Sequence, residues 1–181
     1  MKISVLRLGH RKNRDIRVTT HCCLVARAFL ADEIILSGEE DAGIIETVRK
    51  VSQNWGGKLK LRYEPNYRKF LQTRKKKGQL IVHLTMYGEH LAKKLAKIRK
   101  LAINKGIVVV IGAEKVPPEI YRIADFNIAI TGQPHSEVAA LAIFLNRLQQ
   151  DAPLSPTAQK RFKNARIIIT PGEKGKKIKK N

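Results

Sequence analysis

The segment from Ile107 to Leu148, IVVVIGAEKVPPEIYRIADFNIAITGQPHSEVAALAIFLNRL, constrains the fold more than any other part of the chain. Two short apolar runs rich in β-branched residues, 107–111 and 126–130, each end in a polar loop that contains glycine. The second loop opens into a run with helical apolar spacing over 138–148. Strand, loop, strand, loop, helix is the way an α/β sheet builds a crevice at the carboxyl edge of its strands. The first loop, Gly112, Ala113, Glu114, Lys115, Val116, Pro117 and Pro118, sets an acid beside a base, and its double proline cannot continue the strand. The second, Thr131, Gly132, Gln133, Pro134, His135, Ser136 and Glu137, gathers side-chain donors and acceptors around one Gly and one Pro. Loops of this kind hold a small ligand largely through backbone groups.

The rest of the chain repeats the alternation. Residues 1–8 read as a strand, 18–31 as an amphipathic helix, 33–36 as a strand and 41–54 as a helix stopped by Gly56 and Gly57. Strand 58–63 and a helix opened by Pro65 lead to an apolar run over 79–84, interrupted by His83, which reads as a core residue. Thr85, Met86, Tyr87 and Gly88 then make a third strand-end loop, and 89–100 a helix with Leu91, Leu95 and Ile98 on its core side. Such alternation predicts a mostly parallel sheet with helices on both faces. From Asp151 onward the prolines become frequent, a helical turn (158–164) and a strand (166–170) are short, and lysine dominates. The chain therefore divides into a main domain, 1–150, and a basic appendage, 151–181, with a solvated end suited to unselective phosphate contacts.

Charge narrows the function. With 36 Lys and Arg against 15 Asp and Glu, the net charge is +21 over 181 residues, which points to a polyanionic partner, and nucleic acid is the usual one. The basic residues crowd where the first strand ends: Arg7, Arg11 and Lys12 are placed to contact RNA phosphates. Arg14 and Arg17 follow, between His10 and His21, just before Thr19 and Thr20 as candidate helix caps. No run approaches the roughly 20 apolar residues of a membrane span, and no secretory leader is visible, so a cytoplasmic location is expected. The adjacent Cys22 and Cys23 face different directions on a helix and fit neither a disulfide nor zinc; the histidines show no ligand spacing, so no metal is expected. Dinucleotide, P-loop and serine-nucleophile motifs are missing.

Four segments together, VLRLGHRKNRDIRVTTH, HLTMYG, IVVVIGAEKVP and NIAITGQPHSEVAALAIFL, resemble the SPOUT class of RNA methyltransferases and, within it, the archaeal family that methylates the 2'-hydroxyl of cytidine 56 in the T-loop of tRNA. The resemblance covers about residues 1–150. It implies a C-terminal deep trefoil knot, a rare exception among folds, together with S-adenosylmethionine as cofactor, tRNA as substrate and a homodimer with its site near the subunit interface. The helix over 138–148 would then serve as dimer face. Carried over residue by residue, cofactor contacts fall on Leu84, on Gly112, Ala113, Glu114, Lys115 and Val116, and on Ile130, Thr131, Gly132, Gln133, Pro134, His135, Ser136 and Glu137. The third motif reads HSEVA where SpoU-type enzymes carry SLNVS, and Leu24 stands where they carry a helical arginine. The catalytic assignment therefore goes to Arg17 facing the ribose, Arg14 on phosphate, and His21, with His135 as the other candidate base. Two other readings of the same residues are a SPOUT base methyltransferase and a basic RNA-binding protein without catalysis.

Overall fold

A computed structural model describes residues 1–112 and 115–180. Strands β1 (Ile3–His10), β2 (Glu33–Gly38), β3 (Lys60–Tyr63), β4 (Leu80–His90), β5 (Ile107–Ile111) and β6 (Phe126–Ala129) form one sheet in the order β3-β2-β1-β5-β4-β6. Every pairing in it is parallel. Helices α1 (Ile16–Ala28), α2 (Ala42–Trp55), α3 (Tyr67–Lys76), α4 (Leu91–Lys105), α5 (Pro118–Ile123) and α6 (Glu137–Leu148) connect and follow the strands.

The uninterrupted β-branched run of β5 is explained by its central place between β1 and β4, where all five residues are buried. Its side chains alternate between two cores. Ile107, Val109 and Ile111 join the larger cluster, which includes Cys22 and Cys23 of α1, Ile44 and Val48 of α2, Ile98 of α4 and Phe144 of α6. Val108 and Val110 join a smaller one with Phe70 and Leu71 of α3 and Ile120 of α5. Each fully buried aliphatic or aromatic side chain contributes about 1.5–3 kcal/mol relative to exposure. Cys22 and Cys23 act as small hydrophobes, their thiols pushed up to about 12 by burial.

Caps set the element ends. Asp41 accepts hydrogen bonds from the amides of Gly43 and Ile44 at the start of α2, and Gly56, at φ +72°, ends it. Asn66, rather than Pro65, caps α3 through the amide of Lys69. Elsewhere the bounds shift by a few residues: β1 extends to His10 and α4 to Lys105.

Three features depart from expectation. Residues 85–88 do not end β4 but form a bulge within it: Leu84 and Glu89 both pair with Ile128, and His90 continues to Ala129. A short helix, α5, follows Pro117, because proline fits the first helical turn, where its missing N–H is not needed. The chain end is not merely solvated. It folds into an antiparallel hairpin of β7 (Ile167–Thr170) and β8 (Lys177–Lys180). The segment before it docks on the end of α2, where the Gly57 amide donates to the Lys163 carbonyl, the Arg166 amide to Asn54, and the Arg27 guanidinium lies 5.0 Å from the Phe162 ring centre.

At the amino edge of the sheet, Glu33 is nearly buried. It accepts from Ser4 Oγ at 2.6 Å and Arg74 Nη2 at 2.6 Å, with Lys2 at 3.8 Å and Arg62 at 3.9 Å. Burial pushes its carboxyl up, but the Ser4 hydrogen bond and the charges of Arg74, Lys2 and Arg62 outweigh that and leave it below its ordinary value. A depressed carboxylate pKa gives stability that is present above the ordinary pKa, near 4.5, and lost as pH falls through the lower native value. Glu33→Gln is therefore expected to cost about 2 kcal/mol at neutral pH. In denaturant titrations the gap to the parent chain should close in acid; a gap constant with pH would mean that shape, not charge, is what Glu33 supplies.

Candidate functional site

The three loops expected from sequence meet at the carboxyl edge of β4, β5 and β6 around a cleft of about 470 Å³. Its walls are His83, Leu84 and residues 85–87 of the bulge, Ile111, Gly112 and Val116 after β5, Tyr121 of α5, Ile128 and Ile130 around β6, and Pro134, His135, Glu137 and Ala140 leading into α6. Mostly apolar walls with a few convergent polar groups suit a nucleoside-sized ligand.

Of the residues assigned to a cofactor, Leu84, Gly112, Val116, Ile130, Pro134, His135 and Glu137 line this cleft. Lys115, Thr131, Gly132, Gln133 and Ser136 lie in the same loops without lining it. Ser136 instead caps α6 by accepting from the Val138 amide, and Thr131 accepts from the Gln133 amide. Ala113 and Glu114 fall outside the described residues. Sequence reasoning missed His83, Ile111, Tyr121, Ile128 and Ala140 as wall residues, along with residues 85–87, which it had placed in a loop but not in the site.

A partly buried network stiffens the wall. Asn127 of β6 donates through Nδ2 to the Tyr121 carbonyl, so its Oδ1 is free to accept from His83 Nδ1 at 2.9 Å. Tyr121 also packs edge-on against the His83 ring and shares a hydrogen bond with Thr85 at 3.1 Å. Burial lowers the His83 pKa, which keeps the imidazole neutral with its proton on Nδ1. Nε2 is then a bare acceptor, buried and without a partner among the described residues. A group that brings a donor satisfies it. His135, also in the wall, is exposed, and its Nδ1 lies 2.7 Å from the Gln133 carbonyl, so that its other ring nitrogen is not engaged in this contact.

The basic cluster divides. Arg7 is a correction: expected to touch RNA, it is 1% exposed and paired with Glu137 at 3.2 Å. It lies in β1, which is buried on both faces from Ile3 to Leu8, and alternation puts it on the same side as Ile3 and Val5. Arg11 grips Asp15 with two hydrogen bonds, Nε to Oδ2 at 2.9 Å and Nη2 to Oδ1 at 3.0 Å. The Asp15 carboxyl is held below its usual range, first by the hydrogen bond from Arg11. Lys12 is exposed, its amide donating to Glu39. Arg14, Arg17 and His21 are exposed at the amino end of α1, on the carboxyl edge of the sheet, and do not line the cleft of their own chain.

Comparison with known proteins adds to this geometry. A family model described as tRNA ribose 2'-O-methyltransferase, aTrm56, matches residues 55–179. The chain is 50% identical over 177 residues to a tRNA (cytidine(56)-2'-O)-methyltransferase of Thermococcus kodakarensis, covering 97% of this chain and 96% of that one. It is 46% identical over 178 residues to the enzyme of the same name from Methanocaldococcus jannaschii, covering 98% and 96%. Among solved structures, an A. aeolicus TrmH/SpoU tRNA modifying enzyme superposes with a TM-score of 0.61 at 18% identity, over 90% of this chain and 80% of that one. The SpoU methyltransferase AviRb of Streptomyces viridochromogenes, in complex with AdoMet, superposes with a TM-score of 0.58 at 16% identity, over 82% and 57%. These structural likenesses concern the fold.

Proposed function

The chain belongs to the tRNA ribose 2'-O-methyltransferase family aTrm56, so it is an S-adenosylmethionine-dependent enzyme that methylates the 2'-hydroxyl of cytidine 56 in tRNA, and we propose that the β4–β5–β6 cleft holds its cofactor. The observation that supports this placing is the convergence of three glycine-bearing loops on one cavity, whose wall is stiffened by the His83, Asn127 and Tyr121 network. When bound, the cofactor supplies an electrophilic methyl group. The chain's own work is to orient it, exclude water and manage the proton of the ribose hydroxyl.

For that proton, His135 stands at the cleft with a free ring nitrogen, and it is the better placed of the two candidate bases; His21 does not line the cleft. Arg17 is assigned to the developing alkoxide and Arg14 to phosphate. A homodimer brings them to a partner's cleft, and its support is the apolar surface beside them: Ile16 and Val18 on α1 and Ile143 on the adjoining α6 are exposed. The trefoil knot belongs to the same reading, supported by the return of α6 from β6 at the sheet edge to pack against α1. We also assign a cytoplasmic location, where tRNA is modified; among the described residues no helix is long and apolar enough to cross a membrane.

Transfer of labelled methyl from S-adenosylmethionine to an unmodified tRNA transcript tests the function directly. Digestion is expected to return 2'-O-methylcytidine from position 56; label on a base would overturn the ribose assignment. Removal of residues 165–181 takes away six basic residues, Arg166, Lys174, Lys176, Lys177, Lys179 and Lys180, while keeping the docked Phe162. It is expected to weaken tRNA binding and flatten its salt dependence with cofactor affinity intact, and unchanged salt slopes would make the hairpin structural.

A further inference from the structure

We propose that Glu137, held from beneath by Arg7, is the counter-charge for the sulfonium of the bound cofactor, so that the cleft prefers the methyl donor to its demethylated product. The inference rests on the cofactor placing above and adds to it a means of discrimination.

The first observation is where the charge is missing. A chain of net charge +21 places no lysine or arginine among the described residues that line the cleft. Glu137 is the only carboxylate among them. A cavity that excludes cations from a polycationic protein and keeps one acid is built for a positively charged ligand.

The second observation is Arg7. After Ile3 and Val5 on the same face of β1, an aliphatic residue would fill its place between α1 and α6 at less cost, because burying a cation carries a desolvation penalty of several kcal/mol that pairing repays only in part. Its other neighbours do not explain it: the Asp15 carboxylate feels its charge but is already held through both oxygens by Arg11. The Cys22 thiol beside it is kept neutral by burial, and its remaining hydrogen bond goes to the Leu8 carbonyl. Its anion is Glu137, 3.2 Å away, whose side chain is 28% exposed against 1% for Arg7. The pair is therefore a dipole with its negative end turned to the cleft. The amino end of α6, capped by Ser136, favours a carboxylate at the same point. Arg7 is thus a positioning residue, fixing the rotamer of an acid that touches the ligand.

S-Adenosylmethionine carries the sulfonium charge, S-adenosylhomocysteine lacks it, and sinefungin has an ammonium near its place. Titration calorimetry with the three ligands on the full-length chain reads the discrimination without turnover. In Glu137→Gln, affinity for S-adenosylmethionine and sinefungin is expected to fall about tenfold, and that for S-adenosylhomocysteine less than about twofold. The Arg7→Met/Glu137→Gln double variant removes both charges, which buried pairs generally tolerate, and is expected to show the same collapsed ratio with a melting temperature near the parent's. It carries the test if the single variant unfolds. Equal losses for all three ligands, or a parent-like ratio in the double variant, overturn the proposal while leaving the cofactor placing intact. Failure of the parent chain to bind any of the three overturns both.

Discussion

Gly88→Ala is expected to abolish measurable cofactor binding and lower the melting temperature, although it adds a single methyl group. A Cβ at Gly88 would lie 2.5 Å from the carbonyl carbon and oxygen of Asn127 and 2.5 Å from the amide nitrogen of Ile128. These are backbone atoms of β6, and they cannot turn aside as a side chain could. Relief requires β6 to part from β4 at the bulge, where Leu84 and Glu89 share Ile128. That movement displaces Asn127, which orients both His83 and Tyr121, and Ile128, which lines the cleft. Overpacking of this kind costs about 1–3 kcal/mol of stability, and the loss in affinity should exceed about 10²-fold, enough to take binding below detection, because a cofactor site tolerates little misplacement. Gly172→Ala, between β7 and β8 and outside the three loops, is the matched control, since the added atom meets nothing nearer than 3.9 Å. A Gly88→Ala protein that binds S-adenosylmethionine as the Gly172→Ala protein does would show that the bulge is not part of the site.

Much of this arrangement was readable in the chain, and the reasons differ by element. The bounds of β5 follow from composition because a strand buried on both faces must be apolar throughout. The three loops were visible because glycine and proline mark where regular structure cannot continue. The bulge was not, because Thr85, Met86, Tyr87 and Gly88 read as an ending, and resumption of the strand depends on pairing with β6, a contact over more than thirty-five residues of chain. The partner strand β8 was hidden in a lysine run whose composition alone suggests solvent. Arg7 was misplaced for a related reason. It was counted with the arginines that follow, whereas it belongs to β1, whose residues 3–8 are buried on both faces. Sequence could have suggested this, because Arg7 stands between Leu6 and Leu8 in a strand that is otherwise almost wholly apolar. What sequence could not give was the acid that receives it, 130 residues further on.

Arg17→Ala is expected to reduce turnover by about 10²–10³-fold at saturating tRNA, the scale of losing one preorganised donor to a developing oxyanion, with cofactor affinity unchanged. The separation of the two effects follows from geometry. Arg17 lies outside the cofactor cleft of its own chain and makes no ion pair among the described residues, so its removal leaves neither a cavity nor an orphaned acid. Arg11 differs: it holds Asp15 at the start of α1, and Arg11→Ala should therefore act on stability. If Arg17 serves a partner's cleft across the exposed Ile16, Val18 and Ile143 surface, mixing resolves the matter. Arg17→Ala subunits have an intact cleft, and Gly88→Ala subunits have an intact arginine. A dimer of one of each contains a complete site only if arginine and cleft come from different chains. Co-refolding the two inactive variants is expected to restore methyl transfer, whereas a mixture as inactive as its parts would place Arg17 in its own subunit's site or outside the reaction.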